Sequence, residues 1–337
     1  MATAEQLKAL LKSHVAGDDE RFRAIALQIA AHNARKGNVQ LAQELRNLLD
    51  EARRPQASAG APRAVPIARP VGELAGLLTA SYPTTQINDM VLPRAVHDAL
   101  DEAVRQYHQR DRLRHHGLSP KRKLLLIGPP GCGKTMTASA IAGECSLPLM
   151  FVQLHSLITK YMGETAVKLH LVFDAMVQTR GVYLFDEFDA IGSTRSARND
   201  VGEIRRILNS FLQFLERDDS DSIVVAATNF AGMLDDALFR RFDDVIRYAL
   251  PDTTMARALV ENRLSSFDIT GLAWPVVTRA ARALSHAEIT RACDDAAKAA
   301  VLADSTTVTT DLLADALRVR RLMRPVASSR SRSKKAR

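Results

Sequence analysis

A short apolar run, Lys123 to Ile127, leads directly into the glycine-rich segment Gly128 to Thr135, and this junction constrains the fold more than any other feature of the sequence. The segment reads Gly-Pro-Pro-Gly-Cys-Gly-Lys-Thr. Its glycines allow a tight turn in which backbone N–H groups point inward. Such a turn joins a buried strand to a helix, which we predict from Met136 to Glu144. A strand–loop–helix unit of an α/β domain is therefore expected.

Two further apolar runs end in polar residues and predict additional strands. Val182 to Phe185 is followed by two acids, and Ile223 to Ala227 is followed by Thr-Asn. Continuous apolar runs are typical of parallel strands that are covered on both faces. Amphipathic helices are predicted between them, at Ala166 to Gln178 and Val201 to Leu215. The alternation indicates a three-layer α/β domain.

The rest of the chain differs in composition and divides into regions of distinct character. The N-terminal region has apolar residues at helical spacing and predicts a small helical module that binds a partner or substrate. Recurrent prolines indicate a semi-extended linker after it. Ala- and Leu-rich sequence after Pro251 predicts a helical lid, and the C-terminus is basic. The predicted regions are the helical module 1–53, the linker 54–80, the α/β domain 81–250, the lid 251–325 and a disordered basic tail 326–337.

Charge, apolar runs and cysteine spacing limit the classes of protein. No apolar run approaches the roughly 18 residues of a membrane span. The three cysteines lack disulfide or metal-ligand spacing, so we expect a protein of the reducing cytoplasm. The formal net charge is +8, and residues 318–337 carry basic but no acidic side chains. This tail either contacts nucleic acid or an acidic partner, or is simply solvated; the sequence leaves both readings open.

The glycine-rich segment also fits a phosphate-binding loop. Its backbone amides would bind phosphate oxygens, Lys134 would reach the β- and γ-phosphates, and the Thr135 hydroxyl would ligate Mg²⁺. ATP and Mg²⁺ are therefore the expected cofactors. The candidate nucleotide-binding residues are Gly128, Pro129, Pro130, Gly131, Cys132, Gly133, Lys134, Thr135 and Met136.

Polar residues at the ends of the other predicted strands are candidate catalytic groups. Asp186 would hold Mg²⁺, and Glu187 would polarise the attacking water, since ligands bind at the carboxyl ends of parallel strands. Asn229 would lie beside the γ-phosphate and orient the water. Arg240 and Arg241 could neutralise developing phosphate charge, ideally on a neighbouring subunit. The alternative readings are an acidic turn, a capping Asn and a solvated basic pair.

Four segments in order, GPPGCGKT, YLFDEFDAIGS, VVAATN and LDDALFRRFDD, resemble AAA ATPases. The closest resemblance is to the branch that contains katanin, spastin, the ESCRT-disassembly ATPase and the proteasomal ATPases, and it covers roughly residues 85–320. It implies an AAA+ α/β domain with a helical lid, hydrolysis of ATP and assembly of identical subunits into a ring, usually a hexamer. It also implies that Lys134, Glu187 and Asn229 are catalytic, and that Arg240 and Arg241 act on the neighbour's ATP.

The segment Lys160 to Thr165 resembles the central-pore loop of the family members that thread polypeptides. The resemblance implies that Tyr161 and Met162, between Lys160 and Gly163, grip an extended chain. An aromatic ring and a flexible thioether can hold varied sequences. The flanking Lys and Gly-Glu favour a loop, whereas the alternative is that Tyr161 packs in a core.

Two departures from the family pattern concern the lid. Ser285 and His286 stand where relatives often carry small residues, and His286 would either approach the nucleotide or simply start a helix that Ser285 caps. No lid arginine matches the sensor arginine of more distant branches. The resemblance favours an ATP-driven protein remodeller; the alternatives are a DNA-associated ATPase and a nucleotide-controlled regulator of a separate effector such as a protease.

Overall fold

The computed structural model describes residues 70, 72–157, 162–188, 200–229 and 239–323, without the side chains of residues 162–163 and 200–206. The chain divides into two units, Met1–Arg63 and Ala64–Arg337, and every described residue belongs to the second. The predicted N-terminal module and basic tail therefore lie outside the described residues and remain predictions.

The second unit alternates strands and helices and ends in helices alone. Short 3-10 helices cover Gly72–Gly76 and Ile87–Asp89. The strands are β1 (Leu78–Ser81), β2 (Lys123–Ile127), β3 (Leu149–Val152), β4 (Val182–Phe185), β5 (Ile223–Thr228) and β6 (Asp244–Arg247). The helices are α1 (Arg94–His108), α2 (Arg110–His115), α3 (Lys134–Glu144), α4 (Leu154–Leu157), α5 (Met162–Gln178), α6 (Asp200–Arg217), α7 (Thr253–Arg263), α8 (Trp274–Ala281), α9 (His286–Leu302) and α10 (Thr310–Leu322).

The strands form one sheet in the order β1-β3-β4-β5-β2-β6. Strands β2 to β6 pair in parallel, while β1 runs antiparallel to β3 at one edge. Strand β2 therefore lies between β5 and the edge strand β6. The loop after β2 opens at the same end of the sheet as the ends of β4 and β5. The fold thus brings together the carboxyl ends at which the polar candidates were predicted.

The apolar runs divide their side chains between two cores on opposite faces of the sheet. In β4, Tyr183 and Phe185 pack on one face, while Val182 and Leu184 pack on the other. This alternation is the two-residue period of a strand, and it explains why both faces need apolar residues. The predicted α/β domain with helices on both faces is confirmed. A buried ion pair between Arg122 and Asp218 anchors the start of β2.

Several element boundaries differ from those predicted. Leu78–Ser81 is a strand of the sheet and residues 72–76 form a 3-10 helix, so the linker prediction of residues 54–80 extends too far. The α/β domain begins before residue 81 for the same reason. Strands β1, β3 and β6 were not predicted; each has four residues, and none is followed by the glycine-rich, acidic or Thr-Asn segment that drew attention to the other three strands. Helix α3 starts at Lys134 rather than Met136.

The lid is a helical unit with its own core, as predicted. Helices α7 to α10 enclose a separate apolar cluster that includes Val260, Leu284 and Leu317. Pro275 does not interrupt a helix; it lies in the first turn of α8, where a missing N–H has no consequence. Helix α9 begins with a capping box, in which Ser285 and Glu288 satisfy each other's backbone amides.

Candidate active site

The loop between β2 and α3 has the backbone conformation that its glycines were predicted to supply. Gly131 and Gly133 have φ angles of 75° and 96°, in the left-handed region that disfavours other residues. A Cβ on Gly131 would also lie 2.8 Å from Oγ of Ser285 in the lid. These two glycines are therefore required by conformation, and Gly131 by close packing as well.

A hydroxyl pair fixes the first turns of α3 against the end of β6. The Oγ1 of Thr137 and the hydroxyl of Tyr248 lie 2.6 Å apart, and both are buried. Burial raises the pKa of Tyr248 to about 12, so the phenol stays protonated. The backbone N–H of Tyr248 donates to the carbonyl of Ile127 at 2.7 Å, immediately before the loop. These bonds hold the two ends of the loop against the residue that follows β6.

Lys134 is buried and its ammonium group is fully engaged. Its Nζ donates to the carbonyls of Gly128 and Pro129 at 2.8 and 2.9 Å and to Oδ1 of Asn229 at 2.8 Å. The last bond joins the end of β5 to the loop after β2. Lys134 and Asn229 are therefore direct neighbours, although they lie far apart in sequence. Each was proposed separately as a contact of the γ-phosphate. Gly128 and Pro129 contribute by holding the lysine.

Thr135 and Asp186 meet at the same end of the sheet. The Thr135 hydroxyl donates to Oδ2 of Asp186 at 2.5 Å, and the Glu187 N–H donates to Oδ1 of Asp186 at 2.8 Å. A hydroxyl and a carboxylate are hard oxygen donors that suit Mg²⁺, which usually keeps waters and phosphate oxygens as its other ligands. Among the described residues, no group of three or more His, Cys, Asp or Glu is placed to hold a metal ion.

Glu187 follows Asp186 with an unusual backbone. Its φ is 52°, and its side chain is exposed at the mouth of the site. A non-glycine residue in this conformation carries a strain of about 1 kcal/mol or more, and such residues cluster at functional sites. Asp186 and Glu187 both line the cavity, and the Asp186 carboxylate accepts the hydrogen bond of Thr135.

A cavity of about 610 Å³ lies between the loop and the lid, within the range of small-molecule sites. Most of the residues predicted from the sequence to bind nucleotide or metal, or to act in catalysis, line this cavity. The candidates that line it are Pro130, Gly131, Cys132, Gly133, Lys134, Thr135, Met136, Asp186, Glu187 and Asn229.

Arg240 and Arg241 lie outside this cavity. Arg240 is exposed, and Arg241 forms an ion pair with Glu216 of α6 at 2.5 Å. The structure therefore does not direct either arginine into the cavity of its own chain. Lys160 and Tyr161 of the predicted pore loop lie outside the described residues. Met162 and Gly163 are the first residues of α5, so the predicted loop ends before them.

The lid closes the cavity and is bonded directly to the loop. The N–H of Ala287 donates to the carbonyl of Gly131 at 3.0 Å. Ser285 caps α9, as expected if His286 simply starts a helix. His286 also lines the cavity, as expected if it approaches the nucleotide. The two readings are therefore compatible.

Several lining residues were not identified from the sequence. Residues 89–92 form one wall, and Arg263 and Arg291 line the cavity from the lid. Arg263 forms an ion pair with Asp294, whereas Arg291 is exposed. Helical spacing places Leu259 and Arg263 on one face of α7, but that spacing does not indicate which face meets the cavity. The packing of the lid against the sheet shows that this face meets the cavity.

Comparison with known proteins identifies several similar sequences. The profile of the ATPase family associated with various cellular activities (AAA) matches residues 124–250. An uncharacterized AAA family ATPase, y4kL, of Sinorhizobium fredii is 37% identical over 309 residues, which cover 90% of each chain. A proteasome-activating nucleotidase of Pyrococcus furiosus is 41% identical over 144 residues, which cover 40% of this chain but only 36% of the nucleotidase.

A solved structure supports the same grouping. The AAA domain of FIGL-1 superposes with a TM-score of 0.58 at 26% identity, covering 72% of this chain and 85% of that one. The cavity-lining loop, Lys134 and Asp186 all fall inside the 124–250 match. In the described ranges, no helix combines the length and the apolar character that crossing a bilayer requires.

Proposed function

The chain belongs to the AAA family of ATPases and hydrolyses ATP, and from this premise we propose that it assembles into a ring that remodels protein substrates through a central pore. The observation that carries the proposal is the position of the two arginines after α6. Arg240 is exposed and Arg241 is paired with Glu216, so neither lines the nucleotide cavity of its own chain.

Within one chain, the cavity residues supply binding and activation. We assign the triphosphate to the loop amides and Lys134, whose hydrogen bonds to two carbonyls and Asn229 hold a positive charge at the loop. Thr135 and Asp186 are the residues that would hold Mg²⁺, which neutralises phosphate charge when bound. Glu187 accepts a proton from the attacking water, and Asn229 orients that water.

A neighbouring copy would complete the site. Arginine binds phosphate oxygens in a fork and stabilises the charge that develops during phosphoryl transfer. An exposed arginine that lies off its own cavity is suited to the nucleotide of an adjacent subunit. Hydrolysis would then depend on assembly, and each subunit would respond to its neighbour's nucleotide state.

We assign the remodelling activity to Tyr161, which precedes α5 in the sequence, and to Met162, the first residue of α5. Tyr161 and Met162 are proposed to line the pore and grip an extended polypeptide. Similarity to the proteasome-activating nucleotidase supports action on proteins, and it equally favours a second candidate, regulation of a separate protease-type effector. The module 1–53 is proposed to recruit the substrate or partner.

The test of the shared site measures ATP hydrolysis per subunit against protein concentration. We compare the wild type, Arg241→Ala, and an equimolar mixture of wild type with Glu187→Gln. The matched control is Arg217→Ala, an exposed arginine at the end of α6. Shared sites predict a specific rate that rises with concentration, a loss of at least about a hundredfold in Arg241→Ala, and more than proportional inhibition in the mixture.

A specific rate that depends neither on protein concentration nor on Arg241 would contradict the proposed assembly into a ring. It would leave a self-contained site that uses the lid residues Arg263 or Arg291 for phosphate charge. Threading is tested separately with Tyr161→Ala, which should keep ATP hydrolysis and lose unfolding of a fluorescent model substrate. Undiminished unfolding by that variant would exclude the pore mechanism and leave the regulator as the better candidate.

A further inference from the structure

The imidazole of His286 lies on the lid side of the cavity with both ring nitrogens buried. Neither nitrogen has a hydrogen bond of regular geometry among the described residues, and the backbone of Val91 is the polar group close enough to affect the ring. A buried polar atom without a partner carries its full desolvation penalty, so natural proteins retain such atoms where a ligand or water satisfies them. The two ring nitrogens are therefore available to a ligand group or a water in the cavity.

The protonation state of His286 limits what that group can be. Burial lowers the pKa of His286, and the backbone of Val91 opposes the shift only in part. The ring is neutral at neutral pH, so one nitrogen donates and the other accepts. A neutral ring is a poor partner for a triphosphate, but it suits a hydroxyl, an amino group or a ring nitrogen.

The lining residues that are bonded to one another lie together at the loop end of the cavity. Lys134, Thr135 and Asp186 converge on the phosphate end. Residues 89–92 and the lid residues Leu259, Asn262, Arg263 and Arg291 form the other walls. Phosphates held at the first end leave the nucleoside to be bound by the second.

We propose that His286 binds the nucleoside half of the nucleotide through a ring nitrogen, and thereby contributes to nucleotide affinity and selectivity. The inference rests on the nucleotide site proposed above. It gives a specific role to a side chain that stands where relatives often carry a small residue. Because His286 is the first residue of α9 and Ala287 is bonded to Gly131, the contact also ties nucleoside binding to the position of the lid.

The competing explanation is that the ring merely fills space beside Val91. Three substitutions separate bulk from polarity: His286→Ala removes both, His286→Leu keeps only bulk, and His286→Asn keeps a polar group. The control is His170→Ala, since His170 lies on α5, outside the cavity, in an exposed ion pair with Asp174.

The experiment is calorimetric titration of the full chain, in the presence of Mg²⁺, with ADP and with tripolyphosphate. Tripolyphosphate occupies the phosphate end and has no nucleoside. Loss of one neutral hydrogen bond should weaken ADP binding about two- to tenfold in the Ala and Leu variants. Tripolyphosphate binding should be unchanged, and the Asn variant should recover part of the affinity for ADP.

Two further ligands identify the nucleoside group. If the ribose 2′-hydroxyl is the partner, wild type and His286→Ala should bind 2′-deoxy-ADP equally. If the base amino group is the partner, the two proteins should bind inosine diphosphate equally, since a carbonyl replaces that amino group.

The outcomes separate this inference from the site itself. A wild type that binds neither ADP nor tripolyphosphate would overturn the nucleotide site, and the inference with it. A wild type that binds ADP no better than the Ala and Leu variants would overturn the inference alone. Equal weakening of ADP and tripolyphosphate would also overturn it, because His286 would then act by shaping the phosphate loop.

Discussion

The Nζ of Lys134 donates a hydrogen bond to Oδ1 of Asn229 across 2.8 Å, which joins the loop after β2 to the end of β5. The same ammonium group also binds two carbonyls of its own loop. An arriving γ-phosphate must therefore exchange with at least one of these partners. Of these three partners, only Asn229 contributes a side-chain oxygen, so only its hydrogen bond can be removed by truncating a side chain.

Asn229→Ala should uncouple hydrolysis from binding. The loop carbonyls still hold Lys134, so nucleotide affinity should change little, whereas the misplaced water should lower kcat on the order of a hundredfold. Steady-state ATP hydrolysis and equilibrium ADP titration check the two halves. Asn209→Ala, at an exposed position on α6, is the control. An equal loss of affinity and rate would assign Asn229 a purely structural role.

Glu187→Gln should bind ATP and barely hydrolyse it. The amide cannot accept the proton of the attacking water, and loss of a general base commonly lowers kcat by roughly 10² to 10⁴. The backbone N–H of Glu187 still donates to Asp186, so the turn should persist. Filter retention of labelled ATP, together with phosphate release, measures both properties. Turnover near that of the wild type would refute the assignment.

Gly131→Ala should destabilise the chain, while Gly271→Ala should not. At Gly131 the φ of 75° strains any other residue, and the added Cβ would lie 2.8 Å from Oγ of Ser285. Such strain costs about 1–3 kcal/mol. Gly271 has open space around its Cβ position, so alanine there is neutral or slightly stabilising. Thermal unfolding should separate the two variants by several degrees.

The Gly131 prediction has a second readout. Since Ser285 caps α9, a shift of its side chain should also disturb the lid and weaken nucleotide binding. Equal Tm values and equal ADP affinities for both glycine variants would contradict the close packing of loop and lid.

The cysteines should resist thiol reagents in the native protein. All three are free and buried, and burial raises the pKa of Cys145 and Cys293 to about 12. At pH 8 these thiols are protonated, and the thiolate is the reactive form. Labelling with a chromogenic disulfide should be slow in buffer and reach all three cysteines in guanidinium chloride. Rapid labelling of native Cys145 or Cys293 would contradict their burial.

The raised pKa values of Cys145 and Cys293 determine the direction in which stability changes with pH. In the unfolded chain these thiols ionise near their ordinary value of 9.0, while in the folded chain they hold their protons to about 12. Between these values the unfolded state binds fewer protons, so the free energy of unfolding should fall as pH rises. Denaturant titrations at pH 8 and 10 measure this decline. Alanine or serine at Cys145 should reduce it.

The sequence predicted the phosphate loop and the central strands well because their signals are local. Leu124 to Ile127 is apolar throughout, and Gly131 and Gly133 predict the turn that follows. The carboxyl ends of parallel strands then bring Asp186 and Asn229 to the loop without further information. Fold class and the core of the site therefore follow from short stretches of chain.

The remainder depends on tertiary packing that no local pattern encodes. The strand Leu78–Ser81 is recognisable only by its partner β3. Arg263 and Arg291 resemble any exposed helix arginine until the lid is placed over the loop. The pairing of Arg241 with Glu216 bridges residues 25 positions apart, and the sequence alone indicates neither partner.

The hydrogen bond from Ala287 to Gly131 gives the molecule a mechanical property. It joins the first turn of α9 to the glycine-rich loop, and the 17 residues of α9 extend roughly 25 Å from that point. A small tilt of α9 at the joined end produces a larger displacement at its far end. Under the proposed function, a change in the position of the loop on ATP hydrolysis would therefore move the far edge of the lid.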